Sequence, residues 1–203
     1  MKGPDAIFGL IKFYLSQLEI IKASKILFIA DGARWIWNRV PELAKSLGIA
    51  LEQFYSLIDF YHAVEHLVKI ADLRKGWKKS ERNAWVKKHR RQLLYGKIKE
   101  VIASICKVCR GRKSKKLRSE KNYFVRNQKR MQYDLISKMG LPIGSGAMES
   151  AIRRVVNLRL KGASMYWLEE TAEAMLLFRS FYKSGRWDML KNIIYATSYV
   201  PVA

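Results

Sequence analysis

Cysteines, long apolar runs and acidic residues are all scarce in this chain of 203 residues. The two cysteines, Cys106 and Cys109, cannot form a disulfide framework for a chain of this length, so a reducing, intracellular environment is expected. Uninterrupted apolar runs such as Ile26 to Ala30 fall far short of the roughly 18 residues that a membrane span requires. The start of the chain, Met1 to Lys12, has no cleavage pattern of a signal peptide. We therefore expect neither export nor a membrane partner.

The shortage of acidic residues leaves a large positive charge that is confined to one segment. The chain has 39 Lys and Arg against 17 Asp and Glu, a net charge of +22. From Lys69 to Lys161 there are 28 basic and six acidic residues, whereas the two flanks together hold 11 of each. Such an excess favours a polyanionic partner, most commonly nucleic acid, although a solvated Lys/Arg surface that binds nothing specific is the alternative.

Aromatic residues interleave with this charge. Because they follow a helical spacing, we predict that they are core anchors rather than platforms for stacked bases. They are Trp77, Trp85, Tyr95, Tyr123, Phe124 and Tyr133.

Hydrophobic periodicity predicts a β-α-β unit near the start of the chain. A helix over Ala6 to Ile21 precedes a buried strand over Lys25 to Asp31, a helical stretch over Ala33 to Leu47 and a second strand over Phe54 to Asp59. A right-handed crossover makes the strands parallel neighbours, which places Asp31 and Asp59 at the same edge of the sheet.

The rest of the chain reads as helical. Loops are expected over 111–116 and over Gly140 to Gly146, the latter before a helix that carries Glu149. The predicted helices cover 63–71, 81–108, 119–139, 147–161, 168–183 and 187–196.

Three carboxylates at element ends are candidates for chemistry: Asp31, Asp59 and Glu149. Carboxylate oxygens from separate elements suit Mg²⁺. The alternative for Asp31 is structural, because an Asp at this spacing can cap the helix that follows.

Two further motifs suggest metal binding. His62-Ala-Val-Glu65-His66 matches the pattern of inverted zinc peptidases, in which the histidines share a zinc and the glutamate activates a water. Cys106-Lys-Val-Cys109 is a single pair, and two part-buried thiols are the better interpretation because a structural zinc needs four ligands.

Four ordered segments resemble bacterial insertion-sequence transposases of the DDE class, which have an RNase H-like core. They are Phe28 to Asn38, Asp59 to Leu67, Gly144 to Ser150 and Arg159 to Trp167, and the resemblance spans roughly Ile26 to Trp187.

This resemblance implies roles for named residues. Asp31 matches the second catalytic Asp, Glu149 the catalytic Glu, and Asp59 with His62 the D-x-x-H signature. Asp31 and Glu149 would hold Mg²⁺ or Mn²⁺ for strand cleavage and transfer. The family's first catalytic Asp has no counterpart here, because Asp5 does not fit the pattern. We therefore expect a truncated transposase that is poor or inactive alone, or a non-catalytic DNA-binding remnant.

The expected fold class is α/β and mostly helical, with a partial RNase H-like core that carries an all-helical basic insertion. The second half of that core covers 1–68, the insertion 69–139, the catalytic-Glu helix with the next core helix 140–184, and a C-terminal helix and tail 185–203.

The expected partner is DNA, with no small-molecule substrate, and the full-length enzyme would form a homo-oligomer. The location implied is the bacterial cytoplasm, in association with the nucleoid. The predicted DNA contacts are Lys78, Lys79, Lys87, Lys88, Arg90, Arg91, Arg110, Arg112, Lys113, Lys115, Lys116, Arg118, Arg153, Arg154, Arg159 and Lys161.

Overall fold

Both apolar runs of the predicted β-α-β unit form strands in the computed structural model, which describes residues 3–162 and 164–198. Strand β1 (Ile26–Ala30) pairs in parallel with strand β2 (Phe54–Ile58). The register runs from Ile26 opposite Phe54 to Ala30 opposite Ile58. The prediction of two adjacent parallel strands is therefore confirmed.

The crossover between the strands is helical. Helix α2 covers Arg34–Trp37 and helix α3 covers Val40–Ser46. Pro41 lies in the first turn of α3, where its fixed φ suits a helix and its missing N–H costs no hydrogen bond. Pro41 thus opens a second helical segment within the stretch predicted as helical over Ala33 to Leu47.

The chain divides into two compact units, Met1–Ser145 and Gly146–Ala203. The first unit contains the sheet together with most of the basic segment, the stretch from Lys69 to Lys161 that carries the net charge. Besides α2 and α3, its helices are α1 (Gly3–Gln17), α4 (Phe60–Asp72), α5 (Lys79–Leu94), α6 (Ile98–Cys109), α7 (Lys115–Asn127) and α8 (Tyr133–Lys138).

Two predicted helices are each broken in two. Gly96, at φ +71°, ends α5 before α6 begins, so the helix expected over 81–108 is wrong as a single element. A 3-10 turn at Gln128–Arg130 likewise separates α7 from α8. In both places the apolar residues keep their helical spacing across the break, so the sequence pattern does not indicate where one helix ends and the next begins.

The core of the first unit lies where β2 and α4 meet the basic helices. Leu57 and Ile58 at the end of β2 are fully buried, whereas every residue of β1 is only half-buried. The expectation that β1 is a buried strand is therefore wrong: it has the same single strand partner as β2 within the described residues, but less side-chain packing covers its faces. Helices α4, α5, α6, α7 and α8 contribute Phe60, Leu67, Ile70, Leu93, Val101, Ile105, Phe124 and Tyr133.

The second unit is helical. A π-helical turn at Arg153–Asn157 is held by Arg179, whose side chain donates to the carbonyl of Val155 at 2.9 Å and to that of Arg154. The helices are α9 (Gly146–Ile152), α10 (Leu158–Leu160), α11 (Glu169–Lys183) and α12 (Trp187–Ser198).

Nowhere in the described part of the chain does a helix combine the length and apolar character needed to cross a membrane.

Candidate functional site at the strand ends

Asp31 and Asp59 leave the sheet at the same end, as the parallel topology predicts. Ala30 pairs with Ile58, and the Asp59 N–H donates to the Ala30 carbonyl at 2.9 Å. Each aspartate therefore follows the carboxyl end of its strand, where ligand sites of parallel sheets usually form. The two side chains nevertheless have different surroundings.

The Asp31 carboxylate is exposed to solvent. Its Oδ1 accepts a hydrogen bond from the Ala33 N–H at 2.9 Å, which closes an Asx turn before α2. The Asp31 carbonyl accepts from the Trp37 indole at 2.6 Å, so the backbone here is fixed from two sides. The predicted role of Asp31 as the cap of the next helix is wrong, because the N-cap of α2 is Ala33; Asp31 instead closes the turn before that helix, and its side chain stays accessible.

The Asp59 side chain is buried and engaged through both oxygens. Oδ1 accepts from the N–H groups of Tyr61 at 2.8 Å and His62 at 3.0 Å, which makes Asp59 the N-cap of α4. Oδ2 accepts from the Ser145 N–H at 2.5 Å. The loop is also tied by the Phe60 N–H, which donates to the Ile143 carbonyl at 3.0 Å. Asp59 therefore joins the strand end to the loop at Gly140–Gly146.

The pKa of Asp59 reflects these contacts. Burial raises the pKa of the carboxyl group, but hydrogen bonds from Ser145, His62 and Tyr61 outweigh that effect and hold the pKa below its ordinary value. The carboxylate is thus ionised and saturated with donors, an arrangement that stabilises the fold. The catalytic role given to Asp59 by the family resemblance stays a prediction.

A cavity of about 500 Å³ opens beside Asp31 and is lined by α4 and α7. Its wall mixes charges of both signs with two imidazoles. The charged and imidazole residues that line it are Asp31, Arg34, His62, Glu65, His66, Lys69, Glu120 and Arg126.

A histidine, a glutamate and a tyrosine from α4 and α7 form a compact cluster in this cavity. His66 Nδ1 lies 2.5 Å from Glu120 Oε2, and the His66 ring stacks on Tyr123 with 3.6 Å between centroids. The Tyr123 hydroxyl is buried without a hydrogen-bond partner in the described residues. Burial, followed by the charges of Asp31 and Asp59, raises the pKa of Tyr123 far above its ordinary value. Sequence reasoning missed Glu120, although the scarcity of acids in the basic segment was a usable signal.

Gly32 allows α7 to approach the strand end this closely. A Cβ at Gly32 would lie 2.8 Å from a ring carbon of Tyr123 and 2.9 Å from the Asn127 side-chain nitrogen. Arg126 donates to the Gly32 carbonyl at 3.2 Å. The glycine after Asp31 is thus required for close packing, not only for a turn.

The zinc-peptidase hypothesis finds no matching geometry. The His62 side chain is 44% exposed, and its Nδ1 lies 3.4 Å from Glu65. The second histidine of the motif, His66, pairs with Glu120 and not with Glu65. Within residues 3–162 and 164–198, no three His, Cys, Asp or Glu side chains are grouped so as to hold a metal ion. Cys106 is exposed and Cys109 half-buried, with the Cys109 thiol 3.9 Å from the Leu117 carbonyl.

The first unit brings together Asp31, Asp59 and His62 among the predicted site residues. Glu149 lies in the other unit, exposed on α9. Its convergence with Asp31, which the family resemblance implies, stays a prediction.

No family model, curated protein or solved structure matches this chain. The transposase resemblance accordingly depends on the four sequence segments alone.

All 16 predicted DNA contacts are exposed in the structure. Twelve of them precede Ser145 and belong to the first unit, while Arg153, Arg154, Arg159 and Lys161 belong to the second.

The interleaved aromatics divide into two groups. Tyr123, Phe124 and Tyr133 are buried, and Trp77 and Trp85 are half-buried with 5.8 Å between their ring centroids. The prediction that these residues anchor the core is confirmed for the three buried ones and for Trp85, which packs against the core, whereas Trp77 contacts Trp85. The sixth, Tyr95, is 63% exposed, so the prediction is wrong there.

Proposed function

We propose that this chain binds DNA through its basic segment, that it derives from the catalytic part of a DDE transposase, and that it does not cleave DNA on its own. The exposure of all 16 predicted contacts carries the proposal. Lys and Arg side chains that stay in solvent can reach phosphates without disturbing the core.

The strength of this binding should depend steeply on salt. Each phosphate that a Lys or Arg neutralises releases condensed counterions, so the logarithm of the association constant falls with the logarithm of salt concentration by about 0.9 per contact. The net charge of +22 lies almost entirely in the basic segment, so the contacts should cluster there.

The absence of autonomous cleavage follows from the carboxylates that are present. Two-metal phosphoryl transfer needs several carboxylates around a pair of Mg²⁺ ions. Asp31 is accessible, but both oxygens of Asp59 accept backbone hydrogen bonds, and no three suitable side chains converge within the described chain. These residues do not fit a preformed two-metal centre, so we assign no cleavage step to them. Asp31 together with a β-α-β unit supports an RNase H-like ancestry for the fold.

Fluorescence anisotropy with a labelled duplex of about 20 base pairs, between about 50 and 200 mM salt, tests DNA binding. The variant K115Q/K116Q removes two exposed charges from the start of α7 and should reduce the salt slope by about 1.8. The matched control K12Q/K22Q removes the same charge from the electrically balanced flank and should change the slope much less. Salt-independent binding, or equal effects of the two variants, would contradict the proposal.

A nicking assay tests the second part. Supercoiled plasmid incubated with the chain and Mg²⁺ or Mn²⁺ should remain supercoiled. Nicking that disappears in both Asp31→Asn and Glu149→Gln would instead favour a working DDE site built from these two carboxylates.

A further inference from the structure

Tyr95 stands apart from the other aromatics of the basic segment because its ring faces solvent. It is the C-cap residue that follows α5, and its side chain is 63% exposed. The Arg91 guanidinium lies 5.7 Å from the centre of the ring. The ring of Tyr95 is therefore accessible to a ligand from solvent.

The backbone around Tyr95 is held rigidly. The Gly96 N–H donates to the Leu93 carbonyl at 3.1 Å and the Lys97 N–H to the Gln92 carbonyl at 2.9 Å, which together form a Schellman motif. Gly96 has φ +71°, and a Cβ there would lie 2.6 Å from the Asp134 carboxylate. Tyr95 and Lys97 are therefore fixed on either side of this turn.

Tyr95 lines a surface recess of about 590 Å³. Residues 84, 88, 91 and 95 follow one face of α5, and the small side chain of Ala84 leaves the space open. Four of the residues that line the recess are cationic, and no lining residue in the described part of the chain is acidic. These cations are Lys87, Lys88, Arg91 and Lys97.

We infer that this recess binds one unpaired nucleotide of a DNA strand, with the base stacked on Tyr95 and the phosphates bound by the surrounding lysines. This inference rests on the proposed DNA binding and specifies one site within it. A recess of this volume is within the range of small-ligand sites. Paired bases offer only their edges and phosphates to a protein, whereas a base outside the stack exposes the face that an aromatic ring can contact.

The electrostatics suit this ligand. Lys87, Lys88 and Lys97 supply positive charge for the phosphates on either side of the stacked base. Lys97 lies 3.6 Å from Glu100, an exposed pair that a phosphate can replace at small cost.

The test compares two labelled DNAs: a duplex of about 20 base pairs and the same duplex with one additional, unpaired adenine. The wild-type chain should bind the bulged duplex about fivefold more tightly or better than the plain duplex. One base stacked on an aromatic ring contributes about 1–3 kcal/mol, and fivefold corresponds to the lower end of that range. Tyr95→Leu should abolish this preference, and Tyr95→Phe should retain it, because the phenyl ring still stacks.

Tyr182 provides a matched control. It is 61% exposed, and the Lys183 ammonium lies 5.4 Å from its ring centre, but it does not line the recess. Tyr182→Leu should keep the preference for the bulge. A similar loss in Tyr182→Leu and Tyr95→Leu, or no preference in the wild-type chain, would overturn the inference.

Two further results separate the possible failures. If duplex binding is salt-dependent but the bulge gives no advantage, only this inference fails; if no salt-dependent binding occurs, the proposed function fails as well. Adenosine monophosphate at about 1 mM should not displace the bulged duplex. Complete displacement would assign the recess to a free nucleotide and also overturn the inference.

Discussion

Asp59→Asn should destabilise the first unit while leaving its shape almost unchanged. The asparagine amide has one oxygen where the aspartate has two. If that oxygen accepts from Tyr61 and His62, the amide nitrogen faces the Ser145 N–H, which lies 2.5 Å from Oδ2 in the native chain. A flipped amide would instead oppose the two N–H groups of α4. In either orientation, two donors are forced together in a buried place.

The magnitude follows from the contacts that are lost. A hydrogen bond to a charged group contributes about 1.5–3 kcal/mol, and a buried donor left unsatisfied costs about 1–3 kcal/mol. The amide keeps part of the helix cap, so we expect a loss of about 2–4 kcal/mol in the free energy of unfolding. With a urea dependence of roughly 2 kcal/mol per molar, the midpoint of unfolding should fall by about 1–2 M.

Urea denaturation followed by far-UV circular dichroism measures this loss. Asp5→Asn is the control, because Asp5 also accepts a short hydrogen bond, from Arg39 at 2.7 Å, but its side chain is 86% exposed. The control should shift the midpoint much less. An unchanged midpoint in Asp59→Asn would refute the role given to the second oxygen.

The stabilising effect of Asp59 should also depend on pH. The pKa of Asp59 is lower in the folded chain than its ordinary value of 3.8, so its stabilising contribution is complete above that value and is lost as the pH falls through the folded pKa. The difference between wild type and Asp59→Asn should therefore be constant above about pH 5 and shrink as the pH falls below 3.8.

Two further predictions concern packing and thiol reactivity. Gly32→Ala should lower the free energy of unfolding by about 1–3 kcal/mol, because its methyl group would press on Tyr123, whereas Gly9→Ala, whose Cβ meets nothing within 4 Å, should be neutral or stabilising in a thermal melt. With Ellman's reagent near pH 8, the exposed Cys106 should react quickly and Cys109 slowly, because burial raises the pKa of the Cys109 thiol. Loss of the slow phase in Cys106→Ser would contradict this assignment.

The sheet was predictable because its signals are local. An apolar run that ends in an aspartate occurs twice. The chain between the two runs is long enough for one right-handed crossover helix, which makes the strands parallel. Strand identity, parallel pairing and the shared edge for Asp31 and Asp59 all follow from those two runs. The degree of burial did not follow, since it depends on which helices pack over each strand and these come from distant parts of the chain.

The contacts of the candidate site could not be predicted in the same way, because they join residues that are distant in sequence. Glu120 meets His66 only after α7 packs across α4, and Asp59 is saturated only because the loop at Ser145 returns to the strand end. Tyr95 was misassigned because it follows Ala84, Lys88 and Arg91 along the exposed face of α5, and the spacing of the aromatic residues alone does not show which face of that helix is buried.

The half-buried β1 strand has a consequence for the behaviour of concentrated solutions. Within the described residues each strand is paired along one edge, so its other edge offers backbone donors and acceptors that a second molecule could use as a template. At low ionic strength, copies that each carry a net charge of +22 repel one another before such edges can meet. Added salt weakens that repulsion, so the salt that should release DNA, if the proposed binding holds, also lowers the barrier that keeps the molecules apart.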